Sequence, residues 1–283
     1  MRLATLRTPD GGTTAAVRRG NDYLPLRVPD VGALLRSPDR TALLAAADPA
    51  PHSIPVADAD YAPVVTAPGK IICCGVNYRS HIAEMGREAP AHPTLFAKFA
   101  STLCGARDDI AIPEDADVDW EAELAVVIGS PLRGGDREQA ASAIAGYTVV
   151  NDISMRRWQY RTLQWLQGKA WDASTPLGPE LVTPDEIDPK AGLGISCTVN
   201  GVSMQDASTS ELVFDAFDLV AYVSEFTQLE PGDVILTGTP GGVGAGRTPP
   251  VWLQPGDEVK CAIEGIGSVS SRITSHMIIG GAA

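Results

Sequence analysis

The stretch Val118-Asp119-Trp120-Glu121-Ala122-Glu123-Leu124-Ala125-Val126-Val127-Ile128-Gly129 begins in acidic residues and ends in apolar ones, and it predicts a β-strand. Side chains two positions apart share one face of a strand, so Glu121 and Glu123 point the same way, about 7 Å apart along the chain. Ala125 and Val127 continue that face as apolar residues. The predicted strand therefore leads from a polar opening into a packed interior.

Crowded carboxylates on this face favour a bound cation. Asp117 and Asp119 precede the glutamates on the same face, and a third candidate acid, Asp152, ends the next β-rich run. A glutamate pair alone more often lines a solvated strand face. With Asp152 added, three carboxylates would hold an octahedral Mg²⁺ or Mn²⁺ and leave about three positions for water and substrate. Such a metal site would be open and of the catalytic type, and the pattern alone leaves the solvated strand face open as the alternative.

Composition and charge exclude several classes of function. The chain has 283 residues, of which 44% are hydrophobic and 20% charged, enough for a sizeable core. A net charge of -13 argues against nucleic acid as a partner, so an anionic substrate needs locally placed Arg or Lys. The five cysteines form no C-x-x-C pair, which predicts reduced thiols and a cytoplasmic protein. With no long apolar run and no export signal, we expect no membrane association.

The chain divides into two predicted parts near Ala67. Residues 2–26 alternate apolar runs with Gly and Asp turns, which predicts an antiparallel meander, and two short helices are expected over 31–35 and 41–47. We therefore predict a small N-terminal α+β domain with its linker at residues 1–66 and a catalytic domain at 67–283. Residues 1–66 contain no chemical constellation, which favours a packing or dimerisation role.

Candidate catalytic residues follow a buried strand predicted over 71–76. If Ser80 caps a short helix, His81 and Glu84 lie at i and i+3 on one face, where the carboxylate can orient the imidazole as a general base. The alternative, a surface pair on a loop helix, stays open because H-x-x-E is frequent. Lys169, flanked by aromatic residues, is open in the same way: it is either a solvated lysine or part of the acidic site.

The remaining segments supply scaffold and one loop of interest. The sequence predicts a strand over 94–99, a helix over 137–144, and a hairpin turning at Asn200-Gly201 with a type I′ turn. The longest helix is expected over 211–229, capped by the serines and threonine at 208–210. The glycine-rich loop 236–246 matches neither the Walker nor the dinucleotide spacing, and it offers backbone N–H groups and a hydroxyl at Thr239 to a small anion.

Together these stretches resemble the fumarylacetoacetate hydrolase family from about residue 71 to residue 273. The motifs that carry the resemblance are Gly75-Val76-Asn77-Tyr78 with His81 and Glu84, Trp120-Glu121-Ala122-Glu123-Leu124 with Val127-Ile128-Gly129, Asn151-Asp152, Gly168-Lys169, Pro176-Leu177-Gly178-Pro179, and Thr237-Gly238-Thr239-Pro240. The resemblance is to the short branch of the family that acts on 2-oxo acids and acylpyruvates. It implies an α+β fold with a β-roll or β-sandwich catalytic domain, and a homodimer.

The resemblance also implies roles for individual residues. Mg²⁺ or Mn²⁺ would be held by Glu121, Glu123 and Asp152. His81 with Glu84 would activate water, and Lys169 would stabilise developing oxyanion charge. The positions expected to contact substrate are Tyr78, Arg156, Gln159, Gly238 and Thr239.

Two departures from the family pattern bear on the substrate. An arginine, Arg157, stands where relatives usually have an acid, and Arg247-Thr248-Pro249-Pro250 replaces a short aliphatic stretch. Both leave metal binding intact and make the identity of the substrate the open question.

The function expected from these features is metal-dependent hydrolysis of a carbon-carbon bond in acylpyruvate-type 1,3-dicarbonyl acids. The metal would polarise the 2-oxo group so that the pyruvate fragment leaves as an enolate. Decarboxylation, isomerisation or tautomerisation, and dehydration of related 2-oxo acids are alternatives that use the same enolate. A non-catalytic module stabilised by a metal is a more distant alternative, because such a module would not need His81, Glu84 and Lys169.

Overall fold

Strands dominate the secondary structure, which the computed structural model describes for residues 1–47, 53–113 and 115–275. The strands are β1 (Arg2–Arg7), β2 (Thr13–Arg19), β3 (Asp22–Pro25), β4 (Ile54–Pro55), β5 (Ile71–Gly75), β6 (Thr94–Lys98), β7 (Leu103–Cys104), β8 (Ile110–Ile112), β9 (Val118–Asp119), β10 (Ala122–Ile128), β11 (Ile144–Asn151), β12 (Ser154–Met155), β13 (Thr175–Val182), β14 (Gly194–Val199), β15 (Val202–Ser208), β16 (Val234–Leu236), β17 (Glu258–Ile263) and β18 (Gly267–Ser275). The α-helices are α1 (Val31–Arg36), α2 (Arg40–Ala45), α3 (Arg79–Glu84), α4 (Arg137–Ala143), α5 (Arg156–Gln159), α6 (Leu166–Lys169) and α7 (Ala216–Phe226).

The strands form a large mixed sheet, a five-stranded sheet and a two-stranded pair. The large sheet runs β4-β3-β2-β1-β13-β11-β10-β16-β5-β6, with β7 also paired to β13. Most of its pairs are antiparallel, but β16 with β5 and β7 with β13 are parallel. The smaller sheet runs β15-β14-β17-β18-β8, and β12 pairs with β9. This architecture confirms the predicted α+β class with a β-sandwich catalytic part.

Strand β10 lies near the centre of the large sheet and is buried along its whole length. Leu124, Val126 and Ile128 contribute to a core shared with the five-stranded sheet and α7. Ala125 and Val127 contribute to a second core on the opposite side, which includes α1. The alternation expected for a strand therefore separates two hydrophobic cores, as the apolar half of this stretch predicted.

The acidic half of the stretch is not one continuous strand. Residues 118–119 belong to β9, which pairs with β12, and Trp120 and Glu121 lie between β9 and β10. Asp119 is fully buried and takes its own partners, and Asp117 has a left-handed backbone with φ of 53°. The expectation that Asp117 and Asp119 share one strand face with the glutamates is therefore wrong.

The N-terminal meander and both short helices are present, and the meander extends the large sheet. Leu3 of β1 pairs with Leu181 of β13, and Leu3 belongs to the same hydrophobic core as Val127. Residues 1–66 thus share a sheet and a core with the catalytic part. The boundary at residues 66 and 67 stays a prediction, and the last residues of the predicted 67–283 domain, 276–283, lie outside the described residues.

The turn between β14 and β15 and the start of α7 are each determined by local backbone conformation and hydrogen bonding. The hairpin of β14 and β15 turns at Asn200 and Gly201, whose φ values of 51° and 76° are the positive pair that a type I′ turn requires. Helix α7 is shorter than the predicted 211–229, because Asp215, and not the 208–210 run, caps it with bonds to the Phe217 and Asp218 amides. In the described residues no helix is long and apolar enough to cross a membrane.

Candidate active site

Three carboxylates converge at the start of β10 and the end of β11. Ala122 pairs with Asn151 in the antiparallel register, and the Asp152 amide donates to the Glu121 carbonyl at 2.9 Å. This register brings the side chains of Glu121, Glu123 and Asp152 together, with one oxygen from each lying within 4.8 Å of the others. All three residues are buried. The structure therefore assembles the acidic cluster that the sequence predicted.

Buried cations surround two of these acids. Lys169 Nζ lies 2.7 Å from both Glu121 Oε2 and Asp152 Oδ2. Arg156 Nη2 lies 2.7 Å from Glu121 Oε1, and Lys98 Nζ lies 2.6 Å from Asp152 Oδ1. Each oxygen of these two carboxylates thus has a cationic partner. Lys169, an open assignment in the sequence, belongs to the acidic site.

Glu123 differs from its two neighbours. Its Oε2 accepts a hydrogen bond from the Gly238 amide at 2.7 Å, and no cation of the described chain forms an ion pair with it. Burial raises the pKa of Glu123 well above its usual value, and the charges of Asp152 and Glu121 raise it further. Burial also raises the pKa of Glu121, but the Lys169 and Arg156 charges outweigh that effect and lower it overall.

This donor set fits a hard divalent cation. Its donors are carboxylate oxygens, which Mg²⁺ and Mn²⁺ prefer, and each oxygen has lone pairs beyond the one used in its ion pair. A cation beside Glu123 would relieve the repulsion that raises the pKa of that residue. The identity of the metal, Mg²⁺ or Mn²⁺, stays a prediction.

His81 and Glu84 form the expected pair on α3. His81 Nδ1 lies 2.9 Å from Glu84 Oε2, and Glu84 Oε1 accepts a hydrogen bond from the Gly242 amide at 3.0 Å. Both side chains line a cavity of about 610 Å³ that also reaches Glu121 and Glu123. The helix begins after Tyr78, so the expected cap at Ser80 is wrong. The alternative of an isolated surface pair is not what the structure shows, because this pair faces the acidic cluster across one cavity.

The predicted substrate-binding residues separate into two groups. Arg156, Gln159 and Thr239 line the cavity. Tyr78 is fully buried and is not among the residues that line the cavity, and the Gly238 amide donates to Glu123. A substrate contact at either residue stays a prediction.

Asp119, which the sequence predicted on the same strand face as the two glutamates, instead holds Arg156 in place. Arg156 Nε donates to Asp119 Oδ2 at 2.8 Å, and Arg156 Nη1 donates to Gln159 Oε1 at 2.8 Å. Asp119 Oδ1 also accepts from the Gly244 amide at 2.6 Å. Asp119 therefore links β9, α5 and the glycine-rich loop.

One sequence departure bears on the cavity and the other does not. Arg157 is half exposed, pairs with Asp117 and is not among the residues that line the cavity. Arg247 and Thr248 line the cavity. Lys98 is a site residue that the sequence did not indicate. It ends an apolar strand, much as Asp152 directly follows one, and no other feature of the sequence distinguishes it.

Comparison with known proteins identifies the family of this chain. Residues 70–274 match the family model described as fumarylacetoacetate hydrolase, C-terminal. The chain belongs to the fumarylacetoacetate hydrolase family. A Xenopus laevis protein named mitochondrial oxaloacetate tautomerase is 42% identical over 271 residues, which are 95% of this chain and 85% of that protein.

Solved structures of this family include a hydrolase and an isomerase. The fumarylacetoacetate hydrolase of Exiguobacterium antarcticum has a TM-score of 0.84 and 31% identity, over 98% of this chain and 100% of that one. The 5-carboxymethyl-2-hydroxymuconate delta-isomerase of Mycobacterium smegmatis has a TM-score of 0.78 and 35% identity, over the same shares. The family thus uses one fold for more than one reaction.

Proposed function

We propose that this chain is a divalent-metal-dependent enzyme that interconverts the keto and enol forms of an oxaloacetate-type 2-oxo acid. The observation that carries the proposal is the buried cluster of Glu121, Glu123 and Asp152, in one cavity with the His81–Glu84 pair. The similarity to an oxaloacetate tautomerase favours tautomerisation over the carbon-carbon hydrolysis expected from the sequence. Tautomerisation, one of the alternatives that the sequence left open, is therefore the leading candidate.

The residues would divide the chemistry as follows. When bound by Glu121, Glu123 and Asp152, a divalent cation would polarise the 2-oxo group and favour loss of a proton from the adjacent carbon. His81 would take that proton from C3 as the C2–C3 double bond forms and the carbonyl π electron pair moves to the C2 oxygen, and the resulting imidazolium would then give the proton to that oxygen. The reverse transfer would restore the keto form. Glu84 holds the imidazole through Nδ1 and leaves Nε2 for the substrate.

Lys169 would stabilise negative charge that develops on the C2 oxygen. It is buried, and although burial lowers the pKa of its ammonium group, the charges of Asp152 and Glu121 raise that pKa above the usual value. The ammonium therefore stays protonated through the neutral range. A fixed cation in a buried site stabilises an oxyanion more effectively than one in water.

Hydrolysis of acylpyruvates is the second candidate, and the His81–Glu84 pair is the observation that favours it. An imidazole oriented by a carboxylate can equally deprotonate water that attacks a distal carbonyl. The two candidates differ in their products, because tautomerisation creates no new compound and hydrolysis releases pyruvate and a second acid.

Product analysis by NMR tests both candidates. Oxaloacetate and acetylpyruvate are each incubated with the protein and Mg²⁺, with the protein and a chelator, and without protein. The proposal expects metal-dependent acceleration of keto-enol exchange in oxaloacetate and no release of pyruvate from acetylpyruvate. His81→Ala should remove the acceleration and retain Mg²⁺ binding. Pyruvate release with no effect on exchange would replace the proposal with the hydrolase.

Other properties remain proposals of the same kind. A small anionic 2-oxo acid as substrate, a homodimer, and no nucleic-acid or membrane partner stay predictions. A cytoplasmic location also stays a prediction, and the Xenopus laevis relative is named as mitochondrial.

A further inference from the structure

Arg247 differs from the other buried or half-buried cations of the cavity. Arg156 is paired with Asp119 and Glu121, and Lys169 is paired with Glu121 and Asp152. Arg247 lines the same cavity, yet no carboxylate of the described chain forms an ion pair with it. The protein carries a net charge of -13, so acidic side chains outnumber basic ones. It is therefore unusual that this cavity arginine has no ion-pair partner among the described residues.

The guanidinium of Arg247 is held in place by neutral groups. Nη2 donates to the carbonyl oxygens of Met204 at 2.9 Å and Gly242 at 3.3 Å. The guanidinium carbon also lies 5.8 Å from the centre of the Trp120 ring. Nε is buried and has no hydrogen-bond partner among the described residues. Nη2 is thus fixed by the two carbonyls, and Nη1, which bonds to none of the described residues, is the nitrogen left to donate to a carboxylate.

Arg247 lies on the His81–Glu84 side of the cavity. Gly242 links the two groups, because its amide donates to Glu84 Oε1 while its carbonyl accepts from Arg247. A Cβ on Gly246 would lie only 2.4 Å from Glu84 Cδ, which shows how closely this loop approaches the pair. Arg247 therefore lies beside the His81–Glu84 pair, in the cavity that Glu121 and Glu123 also line.

We propose that Arg247 binds the distal carboxylate of a dianionic 2-oxo acid and so selects dicarboxylates over monocarboxylates. The inference rests on the proposed function, in which the acidic cluster takes the 2-oxo end and His81 serves C3. Oxaloacetate has its second carboxylate bonded to C3, so a substrate whose C3 lies at His81 has that carboxylate on the side of the cavity where Arg247 lies. Arg87 also lines the cavity, but it is exposed and forms no comparable contacts in the described chain.

Equilibrium binding tests the inference independently of turnover. The affinities for oxaloacetate and for its 4-ethyl ester, a monoanion whose distal carboxyl group is uncharged, are measured by calorimetry with Mg²⁺ present, for the wild type, Arg247→Gln and Arg247→Lys. Loss of a charge-assisted contact predicts that Arg247→Gln binds oxaloacetate about tenfold or more weakly. Binding of the ester should change less than about threefold, and Arg247→Lys should lie between the other two proteins. Arg157→Gln, outside the cavity, is the matched control and should change neither affinity.

The outcomes separate this inference from the proposed function. If the wild type binds oxaloacetate and its ester equally, or if Arg247→Gln weakens both equally, the role of Arg247 is wrong even where keto-enol exchange is catalysed. Failure of the wild type to bind oxaloacetate overturns it as well. Selective binding without catalysed exchange would support Arg247 as the carboxylate contact and refute tautomerisation.

Discussion

Gly246 leaves the space that Glu84 occupies. A Cβ at this position would lie 2.4 Å from Glu84 Cδ and 2.5 Å from Oε1. The φ of Gly246 is not positive, so its backbone conformation can accommodate alanine. We expect Gly246→Ala to displace the Glu84 carboxylate from His81 and from the Gly242 amide. The rate of the catalysed reaction should fall about tenfold, because part of a general-base contribution is lost.

The stability of Gly246→Ala should change little, because the end of a flexible side chain is what must move. We expect the free energy of unfolding to stay within about 1 kcal/mol of the wild-type value in urea. Gly194→Ala is the matched control, since its Cβ would meet only ordinary contacts at 3.5 Å. Unchanged kinetics in Gly246→Ala would show that the orientation of Glu84 is not needed.

Glu123 is the acid whose charge is least compensated. Glu123→Gln removes that charge and keeps the volume and the bond to the Gly238 amide. In the absence of metal, we expect the melting temperature to stay equal or rise, because burial beside Asp152 and Glu121 already raises the pKa of Glu123. Added Mg²⁺ should no longer stabilise the variant.

Thermal unfolding with and without MgCl₂ measures this effect. In the wild type, Mg²⁺ at 100 times its Kd adds about 2.7 kcal/mol to the free energy of unfolding. Glu258→Gln, an exposed substitution of the same type, should keep the full Mg²⁺ effect. Equal stabilisation of Glu123→Gln and the wild type would remove Glu123 from the metal site.

Individual residues differ in how well the sequence predicts them. Glu121, Glu123 and Asp152 each carry a charge at the edge of an apolar run, so pattern alone indicates them. Lys98 carries the same signal, but one lysine after a strand is common on solvated surfaces. Tyr78 could not be placed, because the direction of its side chain depends on packing against distant strands.

Helix α7 depends on the residue that caps its N-terminus. Asp215 accepts from the amides of Phe217 at 2.9 Å and Asp218 at 3.1 Å, and it also pairs with Arg137. We expect Asp215→Ala to lower the free energy of unfolding by about 1–2 kcal/mol. In urea, the midpoint should fall and the slope should stay the same.

The control for this cap lies on the same helix. Glu225 is exposed near its end, and Glu225→Ala should change the free energy of unfolding by less than about 0.5 kcal/mol. An Asp215→Ala protein as stable as Glu225→Ala would mean that contacts across the core, and not the cap, determine the helix start.

The start of α7 also shows where local patterns fail. Ser208, Thr209 and Ser210 are all good cap residues, so the sequence favours an earlier start. The structure uses that run for a short 3-10 turn at Thr209–Glu211, and the α-helix begins only after Asp215. The interruption of the acidic stretch between β9 and β10 has a similar origin, because Val118 and Asp119 pair with β12 instead of the main sheet.

The N-terminal part and the catalytic part share one hydrophobic core. Leu3, Val17 and Leu34 are buried with Val127 and Leu177. A chain that starts at residue 67 would expose this core and the edge of β13. We expect it to be insoluble or to lack a cooperative unfolding transition, as judged by expression and thermal unfolding. A soluble protein that unfolds cooperatively would instead support residues 67–283 as an independent domain.

At the scale of the whole molecule, the sequence predicted the elements better than their partners. The meander and the apolar half of β10 follow from alternation, which is local. The pairing of β1 with β13 depends on residues about 180 positions apart, and no periodicity reports it. The shared cavity also arises only when α3, the acidic cluster and the glycine-rich loop meet.

The pairing of β1 with β13 also bears on how the protein is made. On the ribosome, β1 is complete long before Leu181 and Val182, its partners in the sheet, have been synthesised. At about 5–20 residues per second, the interval lasts roughly 10–35 s. During that time Thr5 and Arg7 can bond to residues 60–62 on the edge opposite β2, so only the start of β1, at Arg2 and Leu3, keeps that edge open to chaperones or to a neighbouring nascent chain.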